Sequence, residues 1–451
     1  MPTAVKPHTL ELSADLDLLG VHRASPDHWP YLLSSTAPGG SLGRYSLLLY
    51  QHGETFGIQG DSTDEFVEPN SAFFEALAGL PISTRSPASS LWPFVGGWFV
   101  YLSYELVASI ETRLKLPAAA DGLPIAWVAR CPAALVVDHE TGKITLIAES
   151  KDLLAQARES LADIKFFDDQ TALTLPALDL TADPGHLFKQ GVDQIREWIR
   201  AGDVFQVNLS RGWRGEADTE INPVAVYRAL AASNPSPFAG LAHLPGGTVV
   251  SSSPERLVEV REGVAQTRPI AGTRPRGHDE ISDASLSAEL VAHPKERAEH
   301  IMLIDLERND LGRVCETGSI EVDELMVIES YAHVHHIVSN IRGRIRPGID
   351  VAQIIKATFP GGTITGCPKV RCMEIIAELE GQGRSFYTGS MGYIGLDGHL
   401  DLNILIRSLG ISGRTLEFRT GAGIVADSDP DAELAETEAK ARGLLRALQS
   451  P

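Results

Sequence analysis

The sequence contains few cysteines and no clusters of basic residues, and these absences exclude several classes of protein. Its four cysteines are Cys131, Cys315, Cys367 and Cys372. None belongs to a CxxC pair, so neither a zinc site nor a disulfide framework is indicated, and a reduced cytoplasmic protein is expected. The 39 basic and 59 acidic side chains give a formal charge of −20, which would repel a nucleic-acid backbone.

The sequence also lacks a continuous apolar segment long enough to cross a membrane. Its N-terminus, MPTAVKPHTLELSADLDLLG, contains acidic residues where a signal peptide would need an unbroken apolar region. The most apolar stretch, residues 91–110, is interrupted by Pro93, Gly96-Gly97 and Glu105. Its aromatic and β-branched residues predict one or two buried strands. We therefore expect a soluble protein that makes no membrane contact.

The composition that is present is typical of a large globular protein. Hydrophobic residues make up 43% of the chain and charged residues 22%. No repeat of about 20–50 residues and no low-complexity linker divides the chain. We expect a single large domain over residues 1–451. Within it, residues 1–180 form a less constrained N-terminal part that is folded onto a catalytic part, residues 181–451.

Local patterns in the C-terminal part predict both helices and strands. Helical spacing of apolar residues predicts a helix over 186–201, and a strand follows at 204–209. Leu396-Asp-Gly-His399 predicts a hairpin turn between two strands. Asp429 and Pro430 suit the N-cap and first position of the last helix. The mixture favours an α+β arrangement over a repeating βαβ unit.

Two of the predicted helices carry pairs of glutamates three residues apart. Glu296 and Glu299 lie in the segment 293–310, while Glu433, Glu436 and Lys440 lie at i, i+3 and i+7 of the last helix. Each set therefore projects from one helix face. Oxygen ligands of this kind are those that Mg²⁺ prefers. Spacing alone is equally compatible with solvated helix faces, the commoner role of such glutamates.

Two glycine-rich segments lie ahead of predicted helices. FPGGTITGCPK (359–369) precedes VRCMEIIAELE, and TGAGI (420–424) lies between a strand and the last helix. Backbone N–H groups at a helix N-terminus suit a carboxylate or phosphate, and glycines let the backbone approach a ligand closely. Neither segment has the spacing of a Walker loop or of GxGxxG, and ordinary turns are the alternative for both.

Segments along about the last 250 residues resemble the chorismate-utilising enzymes. This family comprises anthranilate synthase large subunits, aminodeoxychorismate synthase component I, and isochorismate and salicylate synthases. The segments that carry the resemblance, in family order, are GDVFQVNLSR (202–211), SSSPERL (251–257), TRPIAGTRPRG (267–277), KERAEHIMLIDLERNDLGRV (295–314), HVHHIVSNIRG (333–343), FPGGTITGCPKVRCMEIIAELE (359–380), YTGSMGYIG (387–395), DLNILIRSL (401–409) and GAGIVADSDPDAELAETEAKA (421–441). The N-terminal part matches more loosely, through YLLSS (31–35), GRYSLL and GGWFVYLSYEL. The resemblance implies antiparallel β-sheets packed as a sandwich with helices on the outside.

The resemblance also implies a magnesium-dependent site for chorismate. Glu299 and Glu436 resemble the Mg²⁺ ligands, with Glu296 and Glu433 holding coordinated waters, and the ion would bind the ring carboxylate. The residues that resemble substrate contacts are Thr363, Tyr387, Arg407, Lys440, Gln206, Ala271 and the backbone at Gly421 and Gly423. His336 resembles the histidine beside the departing ring hydroxyl, and Glu255 the acid that protonates it. Thr273 closes the PIAGT loop beside the ring.

The residues at positions 206 and 271 bear on which nucleophile attacks chorismate and at which ring carbon. Isochorismate and salicylate synthases carry a water-activating lysine at the position that Gln206 matches, so ammonia is the expected nucleophile here. Amination at C4 gives 4-amino-4-deoxychorismate, for 4-aminobenzoate and folate biosynthesis, whereas amination at C2 with loss of pyruvate gives anthranilate. QVNL (206–209), FPGGTITG and YTGSMGYI resemble the corresponding segments of aminodeoxychorismate synthases and so favour C4. PIAGT, with Ala271, resembles the form found in anthranilate synthases. Well-known aminodeoxychorismate synthases have PIKGT, whose lysine attacks C2 covalently before ammonia enters at C4, and Ala271 excludes that mechanism here. We expect C4 amination and keep C2 as the alternative.

The resemblance implies a partner protein and a second ligand. No cysteine lies in a GxCxG-type elbow, so a separate glutamine amidotransferase subunit is implied as the ammonia source. Ser34-Ser35 and the segment 234–238 match the tryptophan pocket of anthranilate synthases imperfectly, with Ser35, Pro237 and Phe238 as the expected contacts. Because Ser34 breaks the match to the LLES motif of that pocket, feedback inhibition by tryptophan is not expected. Tryptophan that binds without regulating the enzyme is compatible with these residues.

A function of another class is a catalytically inactive, tryptophan-binding scaffold subunit. An inactive site need not keep all of its functional side chains. The chain retains Glu299, Glu436, Arg407 and Lys440 together, which argues for the enzyme.

Overall fold

The computed structural model describes residues 6–37, 41–60, 64–82, 91–162, 164, 174–331 and 334–449. The α-helices in these ranges are α1 (Leu18–Ala24), α2 (Ser71–Ala78), α3 (Lys151–Ala162), α4 (Gly185–Ala201), α5 (Pro223–Ser233), α6 (Glu280–Ala292), α7 (Pro294–Gly312), α8 (Val351–Thr358), α9 (Lys369–Glu380) and α10 (Pro430–Gln449). The strands are β1 (His8–Leu12), β2 (Tyr31–Ser34), β3 (Tyr45–Tyr50), β4 (Thr55–Ile58), β5 (Gly97–Leu102), β6 (Ala126–Cys131), β7 (Ala133–Asp138), β8 (Lys143–Ala148), β9 (Leu178–Ala182), β10 (Gln206–Ala217), β11 (Phe238–Leu244), β12 (Gly247–Ser253), β13 (Arg256–Arg261), β14 (Val264–Thr267), β15 (Ile270–Pro275), β16 (Glu321–Ser330), β17 (Val334–Arg344), β18 (Gly366–Cys367), β19 (Ser390–Gly395), β20 (Leu400–Asn403), β21 (Ser408–Ser412) and β22 (Thr415–Ile424).

These strands form two large antiparallel sheets. The first has the order β1-β8-β7-β3-β2-β11-β12-β21-β22-β10-β18, with β9 added beside β10. The second has the order β15-β17-β14-β13-β20-β19-β5-β6-β4, with β16 added beside β17. Both sheets combine strands that precede residue 180 with strands that follow it, while the proposed division of the chain at that point stays a prediction. The predicted α+β fold with antiparallel sheets is confirmed.

The two sheets pack face to face, and the alternation of side chains along their strands explains how. On β3, Leu47 and Leu49 point into a core shared with the second sheet, while Leu48 points into a core on the opposite face. The rings of Tyr31 and Phe99, one from each sheet, stack with centroids 3.7 Å apart between them. Residues of α1, α3, α5 and α10 cover the outer face of the first sheet, so the sandwich has helices on its outside.

The strand pair β10–β22 is the frame on which the candidate site is built. Its register runs from Val207 opposite Ile424 to Glu216 opposite Thr415. The segment 420–424, for which a turn was one alternative, is therefore the end of a strand. The predicted strand over 204–209 begins at Gln206 and continues to Ala217.

Several predicted local elements are confirmed. The helix expected over 186–201 is α4, which ends where Gly202 adopts a φ of 85°. The hairpin at 396–399 joins β19 and β20, which pair antiparallel. Among the described parts of the chain, no helix is long and apolar enough to span a membrane.

Candidate active site

One wall of the candidate site, called the substrate wall below, is formed by side chains that lie over Gly421 and Gly423 of β22. Gln206 is buried, and its Oε1 has no hydrogen-bond partner among the described residues. A Cβ atom at Gly423 would lie 2.5 Å from Gln206 Nε2, so the amide rests directly over this glycine. A Cβ atom at Gly421 would lie 2.8 Å from both Tyr387 Oη and Asn208 Oδ1. The structure thus brings together four residues predicted to contact substrate, and the glycines make that approach sterically possible.

A buried carboxyl group lies close to three other predicted residues. Glu255, just after β12, is 5% exposed, and its Oε1 has no hydrogen-bond partner among the described residues. Burial raises the pKa of Glu255 to about 7, against the opposing effects of the Thr363 hydroxyl and of the positive charges of Arg407 and Lys440. The group can therefore carry a proton near neutral pH, which a general acid requires. Arg407 adopts a φ of 51°, a conformation uncommon for residues other than glycine.

A β-bulge places the predicted histidine and threonine against each other. Gly272 has a φ of +67° where the β15–β17 register shifts, and Thr273 then lies opposite His336. Thr273 Oγ1 is 2.9 Å from His336 Nδ1, while Nε2 has no hydrogen-bond partner among the described residues. Burial, followed by the charge of Arg407, lowers the pKa of His336 to about 3. The imidazole is therefore neutral at physiological pH. Ala271, before the bulge, is 9% exposed and offers no nucleophile.

The four glutamates predicted to bind magnesium lie on α7 and α10. Glu296 Oε1 is 3.2 Å from Arg274 Nη1, and a Cβ atom at Gly272 would lie 2.7 Å from its Oε2. Glu433 is buried and accepts a hydrogen bond of 2.6 Å from Ser428 Oγ. Glu436 is half-exposed and pairs with Lys440 at 2.8 Å, and Lys440 Nζ also donates to the carbonyl of Gly421 at 2.9 Å.

The donor chemistry of these glutamates fits magnesium. Among the described residues, no group of three or more His, Cys, Asp or Glu side chains is placed to hold a metal ion. Magnesium commonly takes only one or two protein carboxylates and completes its shell with water and substrate oxygens. Glu299 on α7 and Glu436 on α10 supply donors of that kind, and Lys440 links the second helix to the substrate wall through Gly421.

Glu307 of α7 was missed by the sequence analysis. Its side chain is 6% exposed, and its Oε1 accepts a hydrogen bond of 3.3 Å from Gly362 N–H. Burial raises the pKa of Glu307 to about 8, with the charges of Asp310 and Glu255 adding to the effect and Lys369 opposing it. A signal was available, because Glu307 follows Glu296 by eleven residues, about three helical turns, and so lies on nearly the same face.

A buried network of ion pairs supports the substrate wall through contacts with β10 and β22. Glu380, the last residue of α9, is paired with Arg384 at 2.6 Å and with Arg419 at 2.9 Å. It also accepts hydrogen bonds of 2.9 Å from the backbone N–H and the hydroxyl of Ser210 on β10. Arg384 donates to the carbonyl of Asn208 at 2.7 Å, and its guanidinium lies 5.6 Å from the ring centroid of Tyr387. The network joins the two strands of the wall to the Tyr387 segment.

The segments predicted to form a tryptophan pocket lie side by side. Ser34 on β2 is opposite Ala239 on β11, and Thr36 N–H donates to the carbonyl of Ser236 at 2.9 Å. Ser35 is buried, and its N–H donates to Ser46 Oγ at 3.1 Å. Pro237 and Phe238 follow Ser236 directly, and the guanidinium of Arg256 lies 5.1 Å from the Phe238 ring. Tryptophan binding at this place stays a prediction.

The chain is similar in sequence and in fold to known proteins. A family model described as chorismate binding enzyme matches residues 31–446. The chain is 46% identical over 361 residues to the anthranilate synthase component I-like protein of Synechocystis sp., covering 79% of this chain and 73% of that protein. It is 41% identical over 373 residues to aminodeoxychorismate synthase component 1 of Bacillus subtilis, covering 79% and 77%. The crystal structure of anthranilate synthase component I from Streptococcus pneumoniae superposes with a TM-score of 0.78 at 30% identity, covering 90% of this chain and 93% of that one.

Proposed function

The chain belongs to the family of chorismate-binding enzymes, and on that premise we propose that it aminates chorismate with ammonia at C4 to give 4-amino-4-deoxychorismate. The product would serve 4-aminobenzoate and folate biosynthesis. The main support for amination is the residue at position 206. Gln206 is uncharged, and its buried amide lies over Gly423 in the substrate wall. An amide cannot act as a base toward water, so the nucleophile must be one that needs no activation. The sequence QVNL at 206–209 and the relative from Bacillus subtilis support C4.

In this proposal the residues of the chain bind chorismate and move one proton. Arg407, Tyr387 and the backbone of β22 orient the substrate carboxylates, and an Arg fork suits that role. Ammonia forms the new C–N bond while the ring C–O bond breaks, and Glu255 gives its proton to the departing oxygen, which leaves as water. The nitrogen then loses a proton, which restores Glu255. His336, neutral and held by Thr273, would lie beside the departing hydroxyl.

Magnesium would be held by Glu299 and Glu436, with Glu296 and Glu433 holding its waters. When bound it would anchor and polarise the ring carboxylate of chorismate. Ammonia would come from a separate glutamine amidotransferase subunit, and free ammonia at high concentration would replace that subunit in the test tube.

A second candidate is anthranilate synthesis, by amination at C2 with loss of pyruvate. Ala271 favours it, because this buried position on β15 holds no lysine that could attack the ring at C2 covalently. The names of the relatives from Synechocystis and Streptococcus also point toward C2. Both reactions lose the same ring hydroxyl, so the roles of Glu255 and His336 are common to the two.

Product identification separates these functions. The purified chain is incubated with chorismate, Mg²⁺ and ammonium at alkaline pH, and the products are resolved by chromatography. Aminodeoxychorismate, which an added lyase converts to 4-aminobenzoate, is the expected result. Anthranilate and pyruvate would overturn the C4 assignment, and absence of turnover would favour the scaffold subunit. Glu436→Gln should abolish the activity, whereas the matched control Glu438→Gln, on an exposed side chain of the same helix, should retain it.

A further inference from the structure

The segment that carries Tyr387 to the substrate wall has a strained backbone. In this Tyr387 segment, residues 384–389, Ser385 and Thr388 have φ values of 52° and 63°, in the left-handed region that residues other than glycine seldom adopt. Tyr387 lies between them, and its Oη is 2.8 Å from the place that a Cβ atom at Gly421 would take. A strained backbone persists only where surrounding groups fix it, so contacts with the rest of the chain must hold this segment.

Residues that precede β6 hold the first turn of the Tyr387 segment. Glu105 follows β5 and is buried, and its Oε1 accepts the backbone N–H groups of Arg384 at 2.6 Å and of Ser385 at 3.2 Å. The backbone N–H of Tyr104 donates to the carbonyl of Ser385 at 2.8 Å. The Ser385 hydroxyl donates to Asp121. The segment is thus held by a part of the chain that supplies none of the residues proposed to bind chorismate.

A displacement of this first turn would be passed directly to Tyr387. Only Phe386 separates Ser385 from Tyr387, and the Tyr387 N–H donates to the carbonyl of Arg384 at 3.0 Å, which closes a tight turn. The guanidinium of Arg384 is bound by Glu380 at 2.6 Å. The side chain and the backbone of Arg384 therefore have different anchors, and the anchor of the backbone N–H is Glu105.

We propose that Glu105 is a positioning residue for chorismate binding: its carboxyl group fixes the backbone of Arg384 and Ser385 and so sets the place of the Tyr387 hydroxyl in the substrate wall. This role rests on the proposed function, in which Tyr387 orients a carboxylate of chorismate. Burial raises the pKa of Glu105 to about 7, against the opposing effect of its hydrogen bonds to backbone N–H groups. A carboxyl group keeps an accepting oxygen in either protonation state, so the contact persists on both sides of that pH.

Calorimetric titration of the full chain with chorismate, in the presence of Mg²⁺ and without ammonia, tests this role whichever product the enzyme makes. Glu105→Leu removes the acceptor at similar volume and should weaken chorismate binding by about tenfold or more, the fold-change of one hydrogen bond to a charged group. Glu105→Gln keeps an oxygen for the N–H groups and should stay within about threefold of the native chain. A loss with glutamine as large as that with leucine would overturn the role.

A double-mutant cycle with Tyr387→Phe shows whether Glu105 acts through the Tyr387 hydroxyl. Tyr387→Phe should itself weaken binding by about tenfold, and Glu105→Leu should then add at most about twofold. Full losses that multiply in the double variant would overturn the positioning role and leave the proposed function standing. Absence of chorismate binding by the native chain would overturn the proposed function and this role with it.

A matched control separates positioning from general support of the fold. Glu149→Gln breaks a largely buried ion pair with Arg130, outside the Tyr387 segment, and should lower Tm while changing chorismate affinity by less than about twofold. Equal losses of affinity in Glu149→Gln and Glu105→Leu would overturn the role. If Glu105→Leu does not fold, Glu105→Asp decides, because its carboxyl group is a methylene shorter and cannot reach both N–H groups. It should weaken binding severalfold in the native chain but not in Tyr387→Phe, and equal weakening in both would refute the role.

Discussion

Replacement of Glu255 by glutamine separates the chemical role of this residue from its structural one. The carboxyl group is buried, and its pKa is about 7 instead of its ordinary 4.5. Glutamine has nearly the same shape but can neither carry nor release the proton. If Glu255 protonates the departing hydroxyl, Glu255→Gln should lower kcat/KM by about 10²–10⁴-fold, the usual contribution of a general acid.

The same substitution should make the protein more stable at high pH. The difference between a pKa of 4.5 in the unfolded chain and about 7 in the folded one corresponds to about 3 kcal/mol. A raised carboxyl pKa means that the folded state holds the proton more tightly, so the native protein loses this stability as pH rises from about 4.5 through about 7. Glutamine does not ionise. The stability gain of Glu255→Gln should therefore grow from near zero at pH 4.5 to about 3 kcal/mol at pH 8.

Two assays check this prediction. Urea unfolding at several pH values between 4.5 and 8 compares the free energies of unfolding of the variant and the native chain. The pH profile of kcat/KM, measured at constant free ammonia, should fall above about pH 7 for the native chain, since about a tenth of Glu255 keeps its proton at pH 8. A profile that is flat to pH 9, or a stability difference independent of pH, would refute the reasoning.

Three further substitutions test the surroundings of the site. Gly423→Ala would place a Cβ 2.5 Å from the amide of Gln206 and should lower kcat/KM by about tenfold or more. Gly60→Ala, where a Cβ would meet its nearest atom at 3.5 Å, is the control for an added methyl group. Glu380→Gln leaves two buried arginines without their carboxylate and should lower the free energy of unfolding by about 3–5 kcal/mol in urea titrations; a loss below about 1 kcal/mol would contradict this. Glu307→Gln removes an ionisable neighbour of Glu255 and should shift the pH at which kcat/KM falls, so an unchanged profile would show that the two groups act independently.

Local elements could be predicted because local interactions decide them. Asp429 caps α10 by accepting the backbone N–H groups of Asp431 and Ala432, at 3.1 and 3.0 Å, and the helix begins at Pro430 as predicted. The spacing of apolar residues that predicts α4 and the turn at 396–399 are likewise contained within a few residues. Neither the strand pairing nor the packing of the two sheets enters such patterns.

Strand pairing between distant segments decides the structure at positions where the local sequence pattern was ambiguous. The glycines at 421 and 423 are typical of a turn, yet β10, some 200 residues earlier in the chain, pairs with them as a strand. Because these glycines have no side chain, Gln206 and Tyr387 can lie directly over the strand at these positions. Which side chain crosses a glycine depends on the register between distant strands.

By itself, the sequence determined the membership of the chorismate-binding family and the kinds of residue available for chemistry, because motifs of residue type and spacing are properties of the chain. Only the tertiary structure decided which of those residues meet and in which protonation state. Burial raises the pKa of Glu255 and lowers that of His336, and burial is created by the packing of distant segments. The same packing brings Glu307 to Gly362, joins Glu380 to two arginines, and places Glu105 against the backbone of Arg384 and Ser385.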